Sequence, residues 1–260
     1  MSDCKGRFLW YELMTTDVDA ARTFYSEVIG WSTSQWPEAE TPYTMWMNGE
    51  TAIGGLMLLP EEAKAMGAPP HWMAYIGVDD VDATVKQATK LGAALLNGPF
   101  DVPKVGRIAI LRDPQGAAFS IYTPVETCGG NEPQRKVGEV SWNELNTRGS
   151  DDAWTFYSAL FGWKVVQEMP LPPEMGGGMY RIYGSGQLAY GGITNGMPDV
   201  PPSWMYYIRV SDIDATVARA TALGARLLNG PMEVPDGDRV AQLMDPQGAA
   251  FALHWMKNPR

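Results

Sequence analysis

Apolar and polar positions alternate from Phe8 to Met14, with aromatic residues among them, and that two-residue period predicts a strand. Thr16 or Asp17 then stands where a helix would be capped. Ala20, Ala21, Phe24, Tyr25, Val28 and Ile29 recur at helical spacing behind it, and Gly30 suits the stop. Strand-like residues 43–47, a turn at Asn48-Gly49 and strand-like residues 51–58 follow. The pattern then restarts with a strand over 72–78 and a helix that follows Asp80, runs to Leu91 and stops at Gly92. Asn97-Gly98-Pro99 predicts a chain reversal before a strand over 107–111. Asp113-Pro114-Gln115-Gly116 predicts a tight turn into a closing strand over 117–122. Two successive β-α-β-β-β units result.

The segment from Pro69 to Phe119 reads again from Pro201 to Phe251 at a constant spacing of 132 residues. Trp10-Tyr11-Glu12-Leu13 answers Trp142-Asn143-Glu144-Leu145 at the same spacing. In the middle the offset slips to 137, so that Tyr43 matches Tyr180 and Gly54-Gly55 matches Gly191-Gly192. Five extra residues therefore fall in the second copy between Lys164 and Met179, and five fewer after it; both places read as surface loops. Residues 125–139 are polar, hold Gly and Pro and lack apolar periodicity, which predicts a linker. The expected organisation is an α+β chain of four βαβββ units in two tandem domains: residues 1–124, with units 8–59 and 70–124, and residues 140–260, with units 140–195 and 202–257.

Composition narrows the partners. Thirty Asp and Glu against twenty Lys and Arg leave a net charge of −10, which repels phosphate backbones and anionic lipid heads, so neither nucleic acid nor membrane is an expected partner. No apolar run approaches the ~20 residues a membrane span needs, and the start lacks a signal-peptide pattern, giving a cytoplasmic expectation. Cys4 and Cys128 show no metal-type spacing and read as free thiols. Fifteen Met and ten Trp suit adaptable apolar pockets as well as cores. Walker-type, G-x-S-x-G, H-E-x-x-H and C-x-x-C motifs are absent.

The ordered set Asp-x-x-x-Ala-x-x-Phe-Tyr-x-x-x-x-Gly-Trp, Val-Asp-Asp-Val-Asp-Ala-Thr-Val with Leu-Gly-Ala, and Asp-Pro-Gln-Gly-Ala-Ala-Phe resembles the vicinal oxygen chelate superfamily. That superfamily contains glyoxalase I, bleomycin-resistance proteins and extradiol dioxygenases. The resemblance covers nearly the whole chain, in both copies. It implies glyoxalase-like domains in which paired βαβββ units curl their strands into open cups, with helices outside and a small-molecule site within.

The resemblance further implies one divalent metal per cup, held by His, Gln or Glu from the first and last strands of two units. Here those positions fall on Trp10, Gly55, Met73 and Ser120 in the first copy and Trp142, Gly192, Met205 and Ala252 in the second. None offers a carboxylate or an imidazole, so no metal or other cofactor is expected. Glu12 and Glu144 lie two residues past the tryptophans, and three readings stay open for them: a structural ion pair with Arg107 and Arg239, an acid/base or substrate-contacting carboxylate, or a ligand of a displaced metal. Trp10, Met73, Tyr75 and Ser120, with Trp142, Met205, Tyr207 and His254, are the candidate ligand-binding residues. His71 suits a rim position. The loops 37–42, 61–70, 169–179 and 196–202 are candidate covers.

The favoured functional expectation is a metal-free glyoxalase-like protein that binds small, mostly apolar or aromatic molecules. Its alternative is a lyase, isomerase or dioxygenase that uses a displaced metal site or Glu12 and Glu144 as acid/base groups. A monomer is plausible, because one chain carries both copies.

Overall fold

The helices Val18–Ile29, Val81–Lys90 and Ile213–Ala222 begin where an aspartate carboxylate takes a free N–H group of the first turn. In the computed structural model, α1 (Val18–Ile29) follows Asp17, whose side chain accepts from the Ala20 N–H at 2.9 Å, and ends at Gly30 in the left-handed region (φ 89°). α3 (Val81–Lys90) and α5 (Ile213–Ala222) are capped by Asp80 and Asp212 in the same way, while α4 (Ser150–Phe161) starts behind Gly149. Among the described residues a short α2 (Glu61–Ala65) occurs in the first copy without a counterpart in the second. It occupies the stretch in which the second copy is five residues shorter. The structure describes residues 4–36, 43–126, 128, 136–173, 177–186, 188–196 and 199–258.

The first copy's strands are β1 (Phe8–Thr15), β2 (Ser32–Gln35), β3 (Thr44–Asn48), β4 (Thr51–Leu58), β5 (His71–Gly77), β6 (Ala94–Val102), β7 (Gly106–Arg112) and β8 (Ala118–Pro124). The second copy repeats them as β9 (Val140–Thr147), β10 (Lys164–Pro170), β11 (Met179–Ser185), β12 (Leu188–Asn195), β13 (Ser203–Arg209), β14 (Arg226–Glu233), β15 (Arg239–Met244) and β16 (Ala250–Trp255). They form two open eight-stranded sheets, ordered β2-β3-β4-β1-β5-β8-β7-β6 and β10-β11-β12-β9-β13-β16-β15-β14. The fold is the expected α+β arrangement of four βαβββ units.

Three expectations are corrected. Asn97-Gly98-Pro99 does not reverse the chain but lies inside β6, where the ladder to β7 skips between Leu95 and Asn97 and again between Asn97 and Phe100. Pairing with β7 before and after the bulge holds the chain extended, so it overrides the local turn signal. The segment after Lys164 is not loop at its start: it is β10, an exposed strand paired with β11. Cys4 and Cys128 are not free thiols; they are joined as a disulfide. Around it, Arg7 Nη1 donates to the Cys128 carbonyl at 3.1 Å and Trp163 Nε1 to that of Gly6 at 2.7 Å.

The chain divides into two compact units, each of which draws one βαβββ unit from each copy. One comprises residues 4–9, 74–132 and 143–204, and the other residues 10–73, 133–142 and 205–258. In the second of these, α1 packs beside α5, and Tyr25 is the hub of an aromatic cluster with Trp31, Trp46, Trp72 and Phe251. The Tyr25 hydroxyl donates to Asp245 Oδ2 at 3.1 Å and accepts from Trp72 Nε1 at 2.9 Å. The first unit repeats the device: α3 packs beside α4, Tyr157 donates to Asp113 Oδ2 at 2.9 Å, and its ring meets Phe119, Trp163 and Trp204. The other oxygen of each aspartate closes the Asp-Pro-Gln-Gly turn by accepting three successive backbone N–H groups.

Candidate functional site

Strand alternation sorts the two faces of each sheet. Trp46 of β3 and Trp72 of β5 point to the helix side, where Tyr25 meets them, so Met45, Met47 and Met73 project from the opposite face. Glu12 of β1 is on that opposite face too, because Tyr43, one place before β3 and in step with Met45, reaches it. The Tyr43 hydroxyl donates to Glu12 Oε1 at 2.6 Å and accepts from Trp10 Nε1 at 2.9 Å. Glu12 is only 4% exposed, so a hydrogen-bonding partner is what its burial demands. Burial first, and the neighbouring carboxylate second, push the Tyr43 phenol far above its ordinary range; it stays protonated and acts as a donor.

Gly55 explains how the tyrosine fits. It lies in register with Glu12 across the parallel β1–β4 pair and with Met45 across β3–β4. A side chain at Gly55 would collide with the Tyr43 hydroxyl and come within 2.7 Å of Glu12 Oε1. The second copy has the same arrangement in the other compact unit. Tyr180 donates to Glu144 Oε2 at 2.8 Å, Gly192 is in register with Glu144, and a side chain at Gly192 would strike the Tyr180 ring. Tyr43 and Tyr180 were not among the candidates from the sequence, although the repeat aligns them and their glycines.

The register is the same in all four βαβββ units. The residue two places past each first-strand position pairs with the last-strand position: Glu12 with Gly55, Tyr75 with Ser120, Glu144 with Gly192 and Tyr207 with Ala252. Tyr75 and Ser120 are buried, and the Tyr75 ring stands edge-on to Tyr122 at 6.5 Å. Tyr207 accepts a hydrogen bond from Gln242 Nε2 at 2.8 Å. Trp10 and Trp142 are half-buried, Met73 is buried and Met205 half-buried.

Both histidines are engaged by the protein. His254 shares a 2.8 Å hydrogen bond with the Ser141 hydroxyl through Nδ1 and lies 3.1 Å from Asp238 Oδ2 through Nε2. With Ser141 6% exposed, this set staples β9 to β16 and to the turn at Asp238. His71 Nδ1 donates to the Pro69 carbonyl at 2.7 Å, and burial lowers its pKa.

The expected arginine partners of the glutamates serve elsewhere. Arg107 binds Asp82 at 2.6 Å and Asp101 at 3.0 Å, and Arg239 binds Asp214 at 2.6 Å. Each arginine opens a strand beside the first turn of a helix, so the helix aspartate is the nearer charge. The family's divalent metal finds no fitting donor set at the aligned positions: indole, thioether, a lone hydroxyl and bare backbone replace carboxylate and imidazole, and tyrosine fills the space over each glycine. Among the described residues no three His, Cys, Asp or Glu side chains come together in a group able to hold an ion.

Among the candidate covers, residues 37–42 lie outside the described residues, as do parts of 169–179 and 196–202. Residues 61–70 contain α2. Among the described residues no helix is long and apolar enough to cross a membrane.

Comparison with known proteins agrees with this fold. The family model described as the Glyoxalase/Bleomycin resistance protein/Dioxygenase superfamily matches residues 7–121, and that of a glyoxalase-like domain matches residues 143–254. A protein from Mycobacterium bovis, provisionally named glyoxylase CFP32, is 36% identical over 248 residues, covering 94% of this chain and 92% of the relative. The anthracycline biosynthesis protein DnrV from Streptomyces peucetius is 30% identical over 274 residues, covering 95% and 92%.

Among solved structures, the Mn(II)-bound glyoxalase from Novosphingobium aromaticivorans superposes with a TM-score of 0.64 at 16% identity, covering 99% of this chain and 83% of that one. Homoprotocatechuate 2,3-dioxygenase from Arthrobacter globiformis gives 0.67 at 15% identity, covering 98% and 81%. At such identities the likeness is one of fold. The chain belongs to the glyoxalase/bleomycin resistance protein/dioxygenase superfamily, the vicinal oxygen chelate group, and carries two copies of its domain in tandem.

Proposed function

We propose that this protein binds small, mostly apolar or aromatic molecules at the Glu12–Tyr43 and Glu144–Tyr180 pairs, one in each copy, without a divalent metal. The observation that carries the reading is the tyrosine hydroxyl seated over Gly55 and hydrogen-bonded to Glu12 beside the family's ligand position, repeated at Gly192 and Glu144. In this reading Trp10, Met73, Trp142, Met205 and Tyr207 supply apolar contact in the unit that holds Glu12, and Tyr75 and Ser120 line the unit that holds Glu144; His254 offers a ring whose nitrogens are already engaged. The anthracycline biosynthesis relative supports a sizeable aromatic ligand for this chain as well. We read the chain as a monomer without nucleic-acid or membrane partners. A cytoplasmic address gains nothing from the Cys4–Cys128 bond, since disulfides persist best in oxidising surroundings.

A second reading has one observation in its favour. A carboxylate held in place by a phenol at 2.6 Å is oriented for acid/base work on a substrate, so an isomerase or lyase using Glu12 and Glu144 would need no metal.

The ligand reading is tested by heating the protein with naphthalene in the presence of a chelator. Occupancy at a hundredfold excess over Kd stabilises by about 2.7 kcal/mol, so Tm is expected to rise by roughly 5 °C with or without the chelator. No rise with naphthalene or with larger fused aromatics contradicts the reading.

A further inference from the structure

The Cys4–Cys128 disulfide has two unlike ends. Cys4 is 1% exposed and belongs to a segment that the end of β5 holds by its backbone: the Gly6 N–H donates to the Gly77 carbonyl and the Gly77 N–H to that of Arg7, each at 2.8 Å. Trp163 Nε1 donates to the Gly6 carbonyl, and the Phe8 ring stacks on Trp163 at 5.7 Å. Cys128 is half-buried and lies between the copies. Among the described residues its hydrogen bonds go to the Cys4 segment alone: its N–H donates to Cys4 Sγ at 3.2 Å, and its carbonyl accepts from Arg7 Nη1 at 3.1 Å.

Thiol–disulfide exchange needs a sulfur that an incoming thiolate can reach and a partner sulfur that can leave as a thiolate. Of the two residues, Cys128 is the one that solvent reaches. The leaving charge then falls on Cys4 Sγ, at which the Cys128 N–H already points. An N–H donor stabilises a thiolate and offsets the cost of forming it at a buried sulfur.

We propose that Cys128 is a covalent modification site for low-molecular-weight thiols, and that Cys4 is the leaving group. A small thiolate attacks Cys128 Sγ and forms a new S–S bond to it. The Cys4–Cys128 bond breaks with its electron pair going to Cys4, which leaves as a thiolate and takes a proton from water. A second thiolate attacking the adduct completes the two-electron reduction, releasing the small disulfide and the Cys128 thiolate. Throughout, the Cys4 end keeps its backbone bonds to β5, whereas the Cys128 end is left to its hydrogen bonds. Exchange thus unfastens the chain between the copies from the N-terminal segment without unfolding the sheet.

The test exposes the folded, oxidised full chain briefly to 2-mercaptoethanol, quenches with acid and maps the adduct by peptide mass spectrometry. The adduct is expected on Cys128 in about tenfold excess over Cys4. In concentrated urea, where burial and the Cys128 N–H contact are gone, the ratio is expected to fall to about one. Exchange in the folded protein is expected to keep the same rate at low urea concentrations, because the Cys4 segment need not leave β5.

An adduct mainly on Cys4, an equal split in the folded protein, or the same ratio folded and unfolded overturns the proposal. So does a disulfide that stays intact, or one that is reduced with no adduct ever found on Cys128. An exchange rate that climbs with urea as steeply as global unfolding overturns it as well, since the bond would then be reached only in the unfolded chain.

Discussion

Replacing Tyr25 with phenylalanine is expected to destabilise the protein by about 3 kcal/mol, although the substitution removes a single oxygen. The ring stays, with its contacts to Trp31, Trp46, Trp72 and Phe251. What is lost is the donor to Asp245 Oδ2 and the acceptor for Trp72 Nε1, both buried, and each stranded group costs about 1–3 kcal/mol.

The effect also carries a sign in pH. Burial raises the carboxyl pKa of Asp245 in the folded protein, and the Tyr25 hydrogen bond is among the contacts that lower it again. A folded-state pKa raised above the unfolded value means that stability falls as pH rises from about 3.8 through the folded value. Without the tyrosine that pKa climbs further, so the loss in the variant is larger at pH 7 than below pH 4. Urea unfolding at the two pH values measures it; a loss that is equal at both, or below about 0.5 kcal/mol at neutral pH, contradicts the account.

Gly191→Ala is expected to cost about 3 kcal/mol, the upper end for overpacking, because the added methyl meets backbone. Gly191 pairs with Asn143 across β12 and β9, and the new Cβ would overlap the Asn143 carbonyl oxygen. That carbonyl has little room to retreat: it accepts from the Tyr183 hydroxyl at 2.9 Å, and Asn143 Nδ2 holds the Tyr190 carbonyl at 2.8 Å. Any yielding of β9 also moves its next residue, Glu144, away from Tyr180, so aromatic-ligand binding in the second copy should weaken along with stability. Gly196→Ala is the control, since its added methyl finds nothing nearer than Asn146 Cβ at 3.5 Å. Similar unfolding midpoints for the two alanine variants would show that the β9–β12 contact is looser than described.

Local signals in the sequence carried the helices well. Asp17 and Gly30 bracket α1, and Asp80 and Asp212 cap α3 and α5, because capping depends on residues a few positions apart. The edge strands were not visible: β2 and β10 bury almost nothing, so their sequences show no apolar alternation. Within β6, Gly98-Pro99 carries a turn signature, and only the partner strand β7 reveals a bulge.

The candidate site was half visible. Glu12 and Glu144 stood out as carboxylates on predicted buried strands, but their partner was sought among arginines on grounds of charge. Tyr43 is 31 residues from Glu12, and the two meet only because β4 inserts between β1 and β3 and bears a glycine at the crossing. The cystine joins residues 124 apart, a distance at which spacing holds no information about pairing.

Elemental analysis of protein purified without a histidine tag, paired with naphthalene titration before and after exhaustive chelation, tests the central claim most directly. Indole, thioether, hydroxyl and bare glycine standing where relatives grip an ion predict well under about 0.1 equivalent of Mn, Fe, Ni or Zn per chain and one unchanged binding isotherm. Near-stoichiometric metal, with ligand binding lost on chelation and restored by adding the ion back, would contradict it.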